Sequence, residues 1–495
     1  MTVGDSSETH RTNNIGLNIL SDEDIRKIDG ATRDVLSNYG VRVPNEEALN
    51  VFEKAGAEVD RETNMVRIPA WLVDKALADA PSEFELYGRE ESRKIIQKPH
   101  GRVHHTCTGT CIQISKYLGN GKFETVSTTD AYLADCARVL DWTKNLDFFS
   151  LAVSARDWTG KGAEDVHELL TALKNTTKHV HHIDAVGGHT KYYWDIAKAF
   201  YNGDEALARK KPIISMMVCP MSPLELNWNT AQVLMEGARY GIPVSTMSVS
   251  MSGASSPIHL AGALVTQNAE ILACIVLSQI TVPGSRIWYG CSTTVFDMKS
   301  GTAPLGAPET GLISAAATKL GQYYNLPTFV AGTCSDSKVP DAQAAHEKTL
   351  TSILPVLTGA STVCGSGLLE FGLTFSLEQL IIDDDIISME KTVLDGIRVD
   401  DETLSAESIK EVGVGNDFLG YRSTIEYFEQ TSNPGVFDRS TAGGWRNRGS
   451  KTTTDVAHDI VVDILKNHKV APIAADQLEK MEAVVRRADE DFLRG

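Results

Sequence analysis

Basic residues are scarce: the 495-residue chain carries 47 Lys plus Arg against 65 Asp plus Glu, a formal net charge of −18. A surface of that sign repels phosphate backbones and anionic headgroups, so nucleic-acid and membrane partners are not expected, whereas cationic ligands are favoured. Short motifs are missing too. There is no GxxxxGK[ST], no GxGxxG opening a helix, no HExxH and no CxxC, so phosphate cradles, zincin helices and thioredoxin-type redox pairs lack their minimum chemistry. No long apolar run goes unbroken: the most apolar stretch, 258–282, contains His259, Gln267, Asn268 and Glu270 and reads as a buried helix, not a membrane span. With no apolar leader after Met1, the eight scattered cysteines (Cys107, Cys111, Cys136, Cys219, Cys274, Cys291, Cys334, Cys364) are expected to be reduced thiols of a cytoplasmic protein. The polar start reads as a frayed end.

What is present is an alternation. Residues 1–104 form a helical cap: Ser21 and Asp24 make a capping-box pattern ahead of Ile25, Ile28, Val35 and Leu36, and Gly40 suits the exit. Helix 45–55 stops at Gly56, and helix 69–80 follows a short strand at 65–68. Eight β-prone runs then follow, at 110–115, 148–154, 179–185, 212–218, 242–249, 285–291, 326–332 and 360–364. Helical stretches such as 163–177, 223–240, 257–280, 308–324 and 341–357 separate them. Strand and helix in strict turn predict an α/β fold with a parallel sheet, and eight units predict a (β/α)8 TIM barrel over 105–376. A helical C-terminal extension, 377–495, opens with the acidic run Asp383-Asp384-Asp385.

Chemistry in this fold gathers at the carboxyl ends of the strands. Those ends carry Ser154-Ala155-Arg156-Asp157, Asp184, Cys219-Pro220-Met221-Ser222, Ser250-Met251-Ser252-Gly253, Cys291-Ser292-Thr293-Thr294, Thr333-Cys334-Ser335-Asp336 and Gly365-Ser366-Gly367. Small hydroxyl, thiol and glycine residues predict an open mouth. Cys107 and Cys111 beside His104 and His105 lack a matching second pair of ligands, so they read as a turn, and no metal is expected. His179 and His181 share one strand face, with core hydrogen bonding favoured over an acid–base or metal pair. Trp158, Trp288, Tyr289, Phe296, Phe371 and Phe375 lie near the predicted strand ends. Most aromatics are core, yet a set of ring faces also binds a quaternary ammonium well.

The runs Ser154-Ala155-Arg156-Asp157, Cys219-Pro220-Met221-Ser222-Pro223-Leu224-Glu225-Leu226, Ala254-Ser255-Ser256-Pro257, Val282-Pro283-Gly284, 306–315 and Ser335-Asp336-Ser337-Lys338 resemble the trimethylamine methyltransferase family in order and spacing. The resemblance covers nearly the whole chain. It implies a barrel enzyme that moves a methyl group from a methylated amine to cob(I)alamin, a corrinoid carried by a separate small corrinoid protein. One departure matters: the archetypal members carry pyrrolysine in the segment aligned with 332–336, where this chain has Cys334. Members without pyrrolysine act on quaternary amines, glycine betaine being the best known. Cob(I)alamin is itself a strong nucleophile, so the transfer is an in-line displacement in which the protein positions the reactants. A quaternary nitrogen already bears the charge that makes its amine a competent leaving group. Trimethylamine has no such charge until it is protonated or captured by an electrophile, the role proposed for pyrrolysine.

On that reading Tyr289 and Phe371 are the expected cage faces with Trp288 behind them, and Cys334 occupies the strand end. Glu309 and Asp336 complement the cation, and His346, Gln343 or Lys338 holds a substrate carboxylate. Each polar residue also has an ordinary alternative as a cap or fold contact. Three rival readings stay open: a trimethylamine enzyme, a zinc-dependent barrel enzyme built on Cys219, Cys291, Cys334 and Cys364, and a non-catalytic amine-binding protein. A homo-oligomer is expected, with the corrinoid protein docking at the barrel rim.

Overall fold

The structure, a computed structural model, describes residues 16–183, 185–428 and 431–494. Eight parallel strands make the barrel: β1 (His104–Cys107), β2 (Phe149–Ser150), β3 (Val180–His182), β4 (Ile214–Val218), β5 (Val244–Ser248), β6 (Ile287–Cys291), β7 (Thr328–Ala331) and β8 (Thr362–Ser366). Their order around the sheet is sequential from β2 through to β8 and then β1, and a parallel bridge from Thr106 to Phe148 closes the ring. Each strand is followed by a barrel helix, α1 (Asp130–Trp142), α2 (Glu164–Asn175), α3 (Thr190–Phe200), α4 (Trp228–Tyr240), α5 (Leu260–Thr281), α6 (Pro308–Tyr323), α7 (Ala342–Thr358) and α8 (Leu377–Asp395), and a short extra helix, Glu205–Lys210, follows α3. This is the (β/α)8 barrel the alternation predicts.

Two boundaries move. The first strand is not 110–115 but His104–Cys107, whose polar sequence hides its β character. The β-prone stretch beyond it, Gln113–Gly119, pairs antiparallel with Lys122–Ser127 and parallel with Thr374–Phe375, forming a four-stranded sheet with Leu368–Leu369 that walls one side of the mouth. The eighth barrel helix lies beyond residue 376, so the extension begins after Asp395.

Helix α5 explains the apolar run of the sequence. It is the one helix among the described residues long and apolar enough to cross a membrane, and most of it is buried inside the fold. Its inner face meets β5 and β6, while the cap helices Asp22–Asp34, Glu46–Ala55 and Ala70–Asp79 cover its outer side. A helix covered all round needs no polar stripe. The cap helices carry the expected ends: the Ser21–Asp24 capping box, Asn45 as N-cap, and Gly56 in the left-handed conformation.

The barrel is stoppered at its amino-terminal end. The hairpin Phe84–Leu86/Ile95–Gln97 pushes Phe84, Leu86 and Ile95 into a closed apolar cluster with Phe148, Met217, Met247, Trp288, Phe329 and Cys364. Just above the stopper runs a buried polar chain. His179 Nδ1 meets the Tyr87 carbonyl (3.0 Å), His179 Nε2 and His181 Nδ1 both meet Ser215 Oγ (2.7 Å each), and His181 Nε2 meets Ser245 Oγ (3.0 Å). Burial pushes His179 down to about 4, so this pair is neutral core, the ordinary alternative at the sequence level.

The extension returns to the barrel through two helices. Thr453–Asn467 packs on α8 and α1, and Ala475–Arg494 packs on α3 and α2. The three consecutive aspartates of α8 point in three directions, as helical spacing requires. Asp383 meets Lys348, Asp384 accepts from the Asn145 backbone N–H, and Asp385 accepts from the backbone N–H groups of Gly435 and Val436. Between α8 and that last contact the chain makes a long excursion.

Candidate active site

The most elaborately built strand end is that of β7. Thr333 takes a left-handed conformation (φ 50°), which turns the chain so that Cys334 tucks beneath the mouth. Four contacts hold the turn. Lys348 Nζ, fully buried on α7, donates to the Thr333 carbonyl (2.8 Å) and to Asp383 Oδ2 (2.9 Å). The Cys334 backbone N–H donates to Thr351 Oγ1 (3.1 Å), and Glu347 Oε2 accepts from Ser335 Oγ and the Asp336 N–H (2.8 Å each). On the neighbouring strand Gly365 (φ 127°) is required: a Cβ there would lie 2.1 Å from the Gly332 carbonyl and 2.8 Å from Cys334 Sγ.

Cys334 is buried, its thiol donates to the Gly332 carbonyl (3.0 Å), and burial pushes it up to about 12. It is a neutral thiol at physiological pH. Asp336 is buried as well; its Oδ1 accepts from the backbone N–H groups of Leu305 (2.8 Å) and Gly306 (3.1 Å), tying the loop before α6 to the β7 turn. Burial raises its carboxyl above the ordinary range. Lys338 Nζ donates to the Asp336 carbonyl (2.8 Å) and lies 4.9 Å from the centre of the Phe371 ring. Phe371 itself sits in a left-handed stretch with Glu370 and Gly372 (φ 57°, 48° and 86°), an unfavourable conformation for a bulky side chain that persists only where the surroundings impose it.

Glu270 of α5 is the second anchor. Fully buried, it accepts from Ser222 Oγ (2.9 Å), the Leu224 N–H (3.0 Å) and Ser248 Oγ (2.6 Å), pinning the loop after β4 to the end of β5. The loops after β4, β5 and β6 expose a group of apolar side chains, Met221, Val249, Ile258 and Met298, the last at 69% exposure. Thr333 Oγ1 and Ser366 Oγ are buried hydroxyls at the ends of β7 and β8 with no partner among the described residues.

The expected residues do not all converge. Cys334, Asp336, Lys338 and Phe371 come together around the β7 and β8 ends. Trp288 and Tyr289 do not face the mouth: Trp288 belongs to the stopper, its indole N–H donating to Gln97 Oε1 (3.0 Å), and Tyr289 points outward to α5, its hydroxyl donating to Asn268 Oδ1 (2.9 Å). Both are fully buried, so neither is a cage face. Phe375 is core, and Trp158 stacks on His167 at 3.6 Å. Gln343 and His346 lie exposed on the first turns of α7, Gln343 donating to Glu347 Oε1 (2.8 Å). Glu309, in the first turn of α6, is half-buried. Asp184 lies outside the described residues. Cys219 is the exposed thiol among the eight; Cys107 is pushed up to about 12 by burial and Cys291 to about 11. Sequence reasoning missed Glu270, Glu347, Lys348 and the unpaired hydroxyls; the available signal was a charge inside an apolar helix.

A closed eight-stranded barrel, plugged at its amino-terminal end and carrying built, strained turns over small buried residues at the carboxyl ends of its strands, has the architecture of a barrel enzyme that works at those ends. The chain belongs to the trimethylamine methyltransferase family, whose model matches residues 4–492, and it is a methyltransferase. Trimethylamine methyltransferase MttB of Methanosarcina thermophila is 55% identical over 471 residues, covering 95% of this chain and 97% of that protein. The protein of the same name from Desulfitobacterium hafniense (strain DSM 10664 / DCB-2) is 38% identical, covering 97% of this chain and 96% of that protein. Glycine betaine methyltransferase of Desulfitobacterium hafniense (strain Y51) is 27% identical, covering 96% of this chain and 98% of that protein.

Proposed function

We propose that the mouth binds a quaternary amine, glycine betaine or a related betaine, and offers one of its methyl groups to a corrinoid carried by a small partner protein. The observation that supports this reading is Cys334: in the 332–336 segment, which resembles the pyrrolysine-bearing segment of the archetypal members, this chain has a buried, neutral thiol hydrogen-bonded to its own turn, which offers no electrophile to activate a tertiary amine. The protein then has to position a donor that arrives already charged, and positioning is the larger part of what an active site contributes to a displacement.

Phe371 supports the cationic half of the substrate. Its ring already faces the ammonium of Lys338 at 4.9 Å, and an aromatic face contributes ~2 kcal/mol to a desolvated cation. Asp336, on the same turn as Lys338, adds an acidic group beside it. Lys338 and the unpaired hydroxyls of Thr333 and Ser366 are donors for a substrate carboxylate. The corrinoid supplies the nucleophile when its carrier is docked. The mouth suits that group: its strand ends are Ser, Thr, Cys and Gly, and Met221, Val249, Ile258 and Met298 give the rim an apolar surface of the kind partner proteins cover.

Trimethylamine is the second reading, favoured by the name of the 55% identical relative. The two separate in one assay: protein, corrinoid protein and reductant are mixed with each amine, and loss of the cob(I)alamin absorbance is followed. Turnover of betaines with trimethylamine inert is the expected result. Turnover of trimethylamine alone overturns the substrate assignment, and binding of either amine with no turnover on any corrinoid protein indicates a non-catalytic binder.

A further inference from the structure

Core packing does not account for the backbone of Phe371. Glu370, Phe371 and Gly372 are three consecutive left-handed residues (φ 48°, 57° and 86°), a costly arrangement for a bulky side chain. Burying the ring in the core would offset that cost, yet the ring is half-buried and belongs to neither apolar cluster of the described residues. Polar contacts hold the turn instead. The Glu370 N–H donates to the Ser337 carbonyl (2.9 Å), Thr374 Oγ1 donates to Glu370 Oε2 (2.6 Å) and the Cys111 thiol donates to the Gly372 carbonyl (3.2 Å). The first of these joins the loops after β7 and β8 at the residue before Lys338.

What the ring faces is a cation. Lys338 Nζ lies 4.9 Å from its centre and donates to the Asp336 carbonyl (2.8 Å). The lysine is exposed and forms no ion pair among the described residues. Its ammonium therefore occupies the place that a trimethylammonium would take, since one ring face accommodates one cation. A lysine head leaves such a place at small cost because its four-carbon stem is flexible; it then needs an anion. A betaine brings one: in glycine betaine the carboxylate is a single methylene from the nitrogen. The buried hydroxyls of Thr333 and Ser366, at the ends of the same two strands and without partners among the described residues, are further donors for it. A quaternary ammonium with no carboxylate displaces Lys338 and offers nothing in exchange.

We propose, on the reading of the mouth as a quaternary-amine site, that Lys338 is its selectivity element. The ammonium covers the Phe371 face in the free protein, moves to the carboxylate when a betaine enters, and disfavours methylated cations that lack an acid group. Calorimetric titration of the full-length protein with glycine betaine and with tetramethylammonium tests this without a corrinoid partner. The wild type is expected to prefer glycine betaine. In K338M the vacated ring should tighten tetramethylammonium about fivefold, while glycine betaine, deprived of a charge-assisted hydrogen bond, should weaken about fivefold, a swing of about 25-fold in their ratio. K338R keeps a positive head and should keep the wild-type preference. A loosened fold would weaken both ligands, so the opposed changes are specific to the exchange. If K338M leaves the ratio unchanged, or weakens both ligands together, the proposal is overturned while the quaternary-amine reading stands. If neither ligand binds the wild type, K338M or K338R, that reading fails and the proposal fails with it.

Discussion

Replacing Lys348 by methionine tests the β7 turn most sharply. Lys348 and Asp383 are fully buried and 2.9 Å apart, and the ammonium also holds the carbonyl of Thr333. Methionine fills similar volume but leaves Asp383 with the Gly367 N–H (2.7 Å) and Gln379 Nε2 (2.8 Å) as its donors. Removing one partner of a buried pair costs ~3–5 kcal/mol; with two donors remaining, about 3 kcal/mol is expected, roughly a 150-fold change in the folding equilibrium. Urea unfolding followed by tryptophan fluorescence, with reversibility checked by refolding, measures it. The deficit should depend on pH. Burial raises the Asp383 carboxyl above its unfolded value, so the variant keeps its stability where that carboxyl is protonated and loses it as the pH rises through the raised value. K348M/D383L should recover at least half of the loss, because the orphaned charge is gone. A deficit of K348M below about 1 kcal/mol, or a double variant as unstable as the sum of the singles, would refute the claim that the pair holds the turn.

Other outcomes follow from the same geometry. C334S should keep methyl transfer within about threefold, because a neutral buried thiol contributes little as a nucleophile; a hundredfold loss of kcat gives Cys334 a chemical role. F371A should lower kcat/KM for a quaternary amine by about 30-fold, the equivalent of ~2 kcal/mol of cation–π attraction, while leaving thermal stability nearly unchanged; equal kcat/KM would remove Phe371 from the site. His189, whose Nδ1 meets Asp165 at 2.9 Å, is raised above its ordinary value chiefly by that hydrogen bond. Its contribution is complete below the unfolded pKa of about 6.5 and fades as the pH rises through the folded value. H189Q should therefore be less stable than wild type at pH 6 and approach it near pH 9, as urea midpoints will show. In alkylation followed by peptide mapping, Cys219 should label first, while Cys107, Cys291 and Cys334, buried and pushed up to about 11 or 12, should resist.

The barrel was legible because apolar strands and helices alternate at the spacing that crossovers demand: six strands fall within their expected ranges and the eighth, Thr362–Ser366, overlaps its own. The first escaped because His104-His105-Thr106-Cys107 looks polar. Several of its side chains have tertiary partners, such as the Phe148 carbonyl, which accepts from Thr106 Oγ1, and the Ser150 carbonyl, which accepts from the Cys107 thiol, and no local pattern records that. The aromatic cage failed on parity. Trp288 and Tyr289 are neighbours on one strand, so they must point to opposite faces, and depth along β6 placed the inward one in the stopper. Phe371 and Asp336 lie on the loops after strands, where this fold directs the search for a site. The anchors on helices, Glu270, Glu347, Lys348 and Asp383, act between elements, across separations of 11 to 48 residues, where spacing carries no signal.

The hairpin that stoppers the barrel also fixes the traffic through it. With Phe84, Leu86 and Ile95 closing the amino-terminal end, the proposed amine and its methyl acceptor both have to approach from the carboxyl ends of the strands. A carrier seated over those ends blocks them, so the amine has to be loaded before the carrier docks, and the demethylated product waits until it departs. Steady-state kinetics should therefore be ordered, with the amine binding first and leaving last.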